Sequence, residues 1–174
     1  MLQIRLASPD DLHGIAALLQ ANAPSSGGSL TGEFPNGKVA AMLQSGMPTV
    51  AALRDGRVVG ALFSSAAAHP SPPPPVAAML RAWPGGPGAY VYGPICVAAS
   101  ERGQGLPARL YAVLRDSLPG AEAILFIRRD NAASLRAHQR LGMRVVAAFA
   151  LDGVDYAVLS DAGHSKAEDL EHDP

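Results

Sequence analysis

The sequence predicts an α/β fold, a mixed sheet between helical layers in a three-layer α/β/α sandwich, and three observations carry that expectation. Residues 90–97 (Tyr90-Val91-Tyr92-Gly93-Pro94-Ile95-Cys96-Val97) form an apolar, strand-like run. They lead to a glycine turn, Arg102-Gly103-Gln104-Gly105, and then to a helical pattern over 106–118. Two Asp-Gly dipeptides, Asp55-Gly56 and Asp152-Gly153, each separate two β-rich runs, a strong short-range hairpin signal. Strand and helix patterns also alternate along the chain, in the order βααβββαβαββ.

Each element has its own reason. Residues 2–6 alternate as a short strand. Ser8 or Asp10 can then cap a helix whose apolar positions Leu12, Ile15, Ala16, Leu18 and Leu19 recur at helical spacing. A Ser/Gly loop at 24–32 leads to a second helix at 37–45, with Val39, Met42 and Leu43 as its stripe. The first hairpin spans 49–54 and 57–65 around Asp55-Gly56. Residues 69–75 contain five prolines and 84–88 are again Pro/Gly-rich, which predicts a stiff surface excursion with a helical turn at 76–81. The fourth strand, 90–97, is interrupted by Gly93-Pro94, because proline removes a ladder donor and belongs at edges or bulges. A fifth strand at 123–127, a helix at 132–141 and a last hairpin over 143–150 and 154–159 complete the pattern. Residues 161–174 read as an acidic polar tail.

Composition narrows the function classes. A chain of 174 residues fits one domain and is long enough to bury about two-thirds of its unfolded surface. Its 48% hydrophobic and 17% charged content is ordinary for a globular protein, and a net charge of −1 gives no pull toward nucleic acid or membrane. The tail holds five acids and one lysine, leaving 13 basic and 10 acidic residues in the body, a mild excess that suits a phosphate-bearing ligand. The single cysteine, Cys96, excludes an internal disulfide and fits a reducing compartment. No leader pattern and no apolar run of about 18 residues is present, so a cytoplasmic location is expected. No metal-ligand spacing stands out.

The glycine turn is the chemical signal. Backbone N–H groups at a helix start have no intrahelical partners, and the helix dipole favours an anion there, so a diphosphate fits. A P-loop is excluded, since the only Gly-Lys pair, Gly37-Lys38, is followed by Val39. Gly103-x-Gly105 followed by Ala108 satisfies the short dinucleotide pattern, but no acidic residue ends the next strand at the ribose-binding distance.

Arg102-x-x-Gly105-x-Pro107 resembles the R/Q-x-x-G-x-G/A signature of the GNAT N-acetyltransferases. Downstream, Phe126-Ile127-Arg128-Arg129-Asp130-Asn131 and the stretch through Leu141-Gly142-Met143 look like the family's second signature. There a strand ends in Asn and a short helix closes with Leu-Gly-Phe or Leu-Gly-Met. Ile4-Arg5-Leu6-Ala7-Ser8-Pro9-Asp10-Asp11-Leu12 resembles its usual first strand and helix cap. The resemblance covers residues 2–160, and the domain is expected over 1–160. It implies a central, mostly antiparallel sheet splayed between strands 4 and 5, leaving a wedge for the pantetheine arm of acetyl-CoA.

By that resemblance, the backbone of Cys96 and Val97 meets the pantetheine amides. Backbone donors over Arg102, Gly103, Gln104, Gly105, Leu106 and Ala108 hold the diphosphate. Pro107 departs from the family's Gly/Ala and removes one donor, although proline is favourable in a first helical turn. Asn131 contacts the pantetheine arm or caps the next helix, and Ser134 reaches the cofactor or bonds back to a carbonyl. His138 stands where many relatives carry a Tyr that protonates the departing sulfur. It is the expected catalytic residue, a packing histidine being the alternative. Phe126 occupies the place where some relatives have a Glu base. Glu33, His69, Tyr90, Tyr92 and Asp130 are candidates for that role without positional support. Arg128, Arg129, Arg136 and Arg140 can reach the outer phosphate or face solvent. Cys96, between Ile95 and Val97, reads as a small buried hydrophobe rather than an acyl carrier.

The expected activity is direct acetyl transfer from acetyl-CoA to a primary amine of a small molecule or peptide, with no metal. A catalytically silent acyl-CoA-binding module is the alternative, and a dinucleotide binder a weaker one. A homodimer through the terminal strands is frequent in the family. No motif identifies the acceptor, whose walls in this family come from the first two helices, the loop between them and the last hairpin.

Overall fold

A computed structural model describes residues 1–163. The chain contains β1 (Leu2–Leu6), α1 (Leu12–Ala21), α2 (Asn36–Leu43), β2 (Val50–Arg54), β3 (Arg57–Ala66), α3 (Pro74–Ala82), β4 (Tyr90–Val97), α4 (Leu106–Ser117), β5 (Ala123–Arg128), α5 (Ala132–Arg140), β6 (Arg144–Leu151) and β7 (Val154–Ser160). The fold is mixed α/β, as anticipated, with a seven-stranded sheet in the order β1-β2-β3-β4-β5-β7-β6. β1–β2, β2–β3, β5–β7 and β6–β7 pair antiparallel. β4 and β5 pair parallel, through Tyr90↔Ala123 and Val91↔Ile124 only. The ladder thus ends at Val91, two residues before Gly93, which sits at φ +114°, and Pro94, which has no N–H to give.

Two compact units interleave along the sequence: Met1–Ser65 with Tyr92–Pro119, and Ala66–Val91 with the chain from Gly120 onward. The first unit is organised around α1. Its Ile15, Ala16, Leu18 and Leu19 are buried, and they cluster with Phe34, Val39, Ala61, Phe63 and Cys96. The spacing is the amphipathic stripe expected of a core-facing helix. Asp11 fixes the entry to α1. Its buried carboxylate accepts from Arg5 Nη1 at 2.7 Å and Nη2 at 3.0 Å, and from the Ser8 N–H at 2.8 Å. The Arg5 guanidinium holds this carboxyl below its ordinary pKa. In α4 of the same unit, Leu106, Leu110, Tyr111 and Leu114 are buried, and the helix packs on β1 and β2.

The second unit packs α3 on β5 and β6, around buried Met79, Val91, Ile124 and Val158. Here the structure corrects the sequence reading. The anticipated helical turn is a nine-residue helix that starts inside the proline run, with Pro74 and Pro75 in its first turn. Proline lacks only a donor that the first turn would leave unused, so the run begins the helix instead of preventing it. The order is therefore βααββαβαβαββ. The segment after α3 is tied down by one carboxylate. Glu122 accepts from Trp83 Nε1 at 2.8 Å, from the Gly86 N–H at 2.9 Å and from Ser160 Oγ. Burial pushes its pKa up, but these donors and the Arg144 charge outweigh that and leave it below the ordinary value.

Both Asp-Gly hairpins form, with Asp55 and Asp152 in the left-handed conformation at φ 50° and 49°, as a two-residue turn of this kind requires. Asp161, assigned to the tail from sequence, is buried. Its Oδ1 accepts from the Ala123 N–H at 2.8 Å and its own N–H donates to the Ala123 carbonyl at 3.2 Å. Residues 164–174 of the anticipated tail lie outside the described residues. Among the described residues, no helix is long and apolar enough to cross a membrane.

Candidate functional site

In the first unit, β4 leads through a short 3-10 turn, Ala99–Glu101, into the glycine turn. Glu101 is only 6% exposed, and its carboxylate accepts from Arg54 Nε at 2.6 Å and Nη2 at 3.0 Å. That two-pronged pairing lowers the Glu101 pKa and fastens the chain just before the turn. Arg102 follows in extended conformation, and its Nη2 donates to Asn22 Oδ1 at 2.8 Å. Gly103 and Gly105 both adopt left-handed φ, +74° and +73°, and Gly105 is the residue that opens α4. A side chain at 105 meets no neighbour within 4 Å, so glycine is required there by backbone conformation, not by space.

This geometry leaves donors unspent. The first α4 backbone bond formed outside the helix body runs from the Arg109 N–H to the Gly105 carbonyl. The N–H groups of Gly103, Gln104, Gly105, Leu106 and Ala108 have no protein acceptor among the described residues. Pro107 has no N–H to offer. No side chain caps the helix. The residues from Gly103 to Gly105 are exposed, while Leu106 turns its side chain into the core at 2% exposure. A row of donors at a helix N-terminus, backed by its dipole, fits the diphosphate of an acyl-CoA.

Just upstream, Cys96 points into the core. The residue is 5% exposed, and its thiol approaches the Leu18 carbonyl at 3.8 Å. Burial pushes its pKa up to about 11, and the Arg102 charge only partly offsets that. A thiol held this far from ionisation is a poor nucleophile. Val97 is half-buried, and the next residue, Ala98, donates its N–H to the Val59 carbonyl at 2.8 Å.

In the second unit, α5 begins differently. Asn131 Oδ1 accepts from the Ser134 N–H at 3.2 Å, so the Asn caps the helix. Ser134 in turn serves His138. Its carbonyl lies 2.8 Å from His138 Nδ1 and its Oγ 3.3 Å from the same nitrogen. A carbonyl oxygen only accepts, so Nδ1 carries the proton and donates it. His138 is 4% exposed, and burial lowers its pKa below 6.5 while the Ser134 carbonyl pulls the other way. Burial thus favours the neutral imidazole, and in that tautomer Nε2 is its basic atom. Arg128, a candidate for the outer phosphate, pairs with Asp130 through Nε at 3.1 Å and Nη2 at 3.0 Å. Arg129, Arg136 and Arg140 are exposed.

Phe126, where a Glu base was sought, belongs to an aromatic cluster. Its ring meets Tyr156 edge-on at 5.5 Å and Phe149 at 6.0 Å, while Phe149 and Tyr156 stack at 4.9 Å. The other candidates have partners of their own: Glu33 accepts from Ser25 N and Oγ, and His69 Nδ1 from the Ser71 N–H. Asn22, Arg54 and Glu101 support the glycine turn and were not singled out from the sequence. Their partners lie 80 and 47 residues away, so no local pattern marks them. Among the described residues no group of three His, Cys, Asp or Glu could hold a metal ion.

The mixed α/β fold carries, at the start of α4, a row of donors open to an anion. Residues 29–143 match the family model described as the acetyltransferase (GNAT) family, and the chain belongs to that family. An N-acetyltransferase of Staphylococcus aureus Mu50 superposes with a TM-score of 0.68 at 20% identity, over 92% of this chain and 97% of that one. The ribosomal-protein-S18-alanine N-acetyltransferase of Escherichia coli gives 0.67 at 16% identity, over 92% of both chains. A Salmonella typhimurium protein solved with its cofactor acetyl-CoA gives 0.67 at 18% identity, also over 92% of both. No curated protein sequence matches the chain.

Proposed function

We propose that this acyltransferase uses acetyl-CoA and moves the acetyl group directly to a primary amine of a small molecule or peptide, in the cytoplasm. The observation that carries the reading is the row of backbone donors over Gly103, Gln104, Gly105, Leu106 and Ala108, with no protein acceptor among the described residues. Acetyl-CoA supplies a thioester carbonyl open to attack by a neutral amine. The turn holds the diphosphate, and the backbone of Cys96 and Val97 takes the pantetheine arm. Cys96 takes no acyl group, because its thiol is buried with a pKa of about 11. His138 handles the proton at Nε2. With Nδ1–H committed to the Ser134 carbonyl, Nε2 takes up a proton before it can give one. Asn131 caps α5 and keeps Ser134 in place for His138.

A catalytically silent acyl-CoA-binding module is the second reading, favoured by the aromatic residue Phe126 at the position of the missing base. Calorimetric titration with acetyl-CoA, with NAD as the control, followed by an amine panel, separates the readings. Micromolar binding of acetyl-CoA alone with turnover on an amine is expected. His138→Ala is then expected to keep binding and to lower kcat on the order of 10²-fold. Binding without turnover on any amine favours the silent module, and tighter binding of NAD overturns both.

A further inference from the structure

Arg102 belongs to the cofactor turn, yet its guanidinium is held by a residue of another segment. Asn22 ends α1, and its amide is used at both atoms. Nδ2 donates to the Leu18 carbonyl at 2.9 Å, and Oδ1 accepts from Arg102 Nη2 at 2.8 Å. The assignment is unambiguous, since a carbonyl only accepts and a guanidinium only donates. The Asn22 backbone carries a third connection, because its carbonyl accepts from the Leu30 N–H at 3.2 Å. Loop 23–30 folds back tightly on this point. A Cβ at Gly28 would lie 2.0 Å from the Asn22 carbonyl oxygen, so only glycine allows the approach. The Gly28 N–H donates to the Ala23 carbonyl at 2.9 Å. One residue before Arg102, Glu101 is fastened to Arg54. Residues 103–105 thus follow directly on two adjacent side-chain anchors, of which Asn22 alone also holds loop 23–30.

We propose that Asn22 is a positioning residue that braces the cofactor turn through Arg102 and couples it to loop 23–30. The inference rests on the acetyl-CoA reading above. Asn22 touches no reacting atom. It pre-orders the turn so that binding does not have to, and it passes the resulting stiffness to the loop that joins the first two helices.

The test combines calorimetry with hydrogen exchange on the whole chain. In the wild type, acetyl-CoA slows exchange over both 102–105 and 23–30. Asn22→Ala is expected to weaken acetyl-CoA roughly tenfold and to abolish the slowing over 23–30. Asn22→Asp keeps an oxygen for Arg102 but gives up the donor to Leu18, so it is expected to restore affinity and coupling while its melting temperature falls. A merely structural role would move all three readouts together. If Asn22→Ala does not fold, Arg102→Gln cuts the same bond from the exposed end and is expected to abolish the coupling. Unchanged affinity with persistent slowing over 23–30 in Asn22→Ala overturns the proposal. So does wild-type binding that leaves 23–30 untouched. If the wild type does not bind acetyl-CoA, the functional reading fails. Exchange of 103–105 without ligand then decides the brace: faster in Asn22→Ala supports it, and equal rates overturn it.

Discussion

Two helices of this protein follow strands of the sheet, and they differ in whether a side chain caps their first turn. α5 caps part of its own start: Asn131 accepts from the Ser134 N–H, while the Ala132 and Ala133 N–H groups have no protein acceptor among the described residues. α4 begins on a left-handed glycine with no side-chain cap, and the five N–H groups of Gly103, Gln104, Gly105, Leu106 and Ala108 have no protein acceptor among the described residues. Every α-helix has orphan donors at its start, so their existence says nothing about function. What sets the glycine turn apart is that no side chain caps the helix it opens, while other side chains hold the residues just before it. Arg54 with Glu101, and Asn22 with Arg102, are such supports.

The contrast can be broken from the α4 side first. Gly105→Val forces a β-branched residue into φ +73°, with an expected stability loss of about 1–2 kcal/mol. Because the donor row turns with it, acetyl-CoA affinity measured by calorimetry is expected to fall more than about tenfold. Wild-type affinity in that variant would mean that the row is not the diphosphate site. Asn131→Ala probes the other helix. It removes a cap, so thermal or urea unfolding is expected to report a loss of about 1 kcal/mol. Acetyl-CoA affinity is expected to stay within about threefold, this being a loss of helix start rather than of ligand donors. A tenfold weakening would place the Asn131 side chain on the ligand. The smallest effect is expected from Pro107→Ala, which adds a sixth donor to the row. Affinity is expected to tighten about threefold, within the net worth of one hydrogen bond. A weaker complex would show that proline's fixed φ orders the turn more than its missing N–H costs.

The parts of this molecule that were legible beforehand are those written in contiguous residues. The strand–glycine–helix unit around Arg102 and the Asp-Gly hairpins carry their geometry in adjacent positions, and both formed where expected. α3 was under-read because five prolines look like a connector. The stripe of Val76, Met79, Leu80 and Trp83 at i, i+3, i+4 and i+7 was present, and Pro74 and Pro75 fit a first turn. Asp161 looked like the start of a polar tail because its partner, the Ala123 backbone, is 38 residues away. For the site, the turn and the capping Asn131 could be seen, since each acts over three or four residues. The supports could not: Asn22 reaches across 80 residues to Arg102, and Arg54 across 47 to Glu101. The tautomer of His138 was equally hidden, because it depends on which way the Ser134 carbonyl points.

The burial of Cys96 has a practical corollary. The chain has one sulfhydryl, shut into the core beside the Leu18 carbonyl and held as a neutral thiol. Oxidants and maleimides attack the thiolate, so the folded protein offers them almost nothing. Alkylation then proceeds only through molecules that have opened, and its rate becomes a clock for that opening. Because the same core packs α1, whose last turn leads into Asn22, a single natural residue reports how firmly the support of the glycine turn is closed.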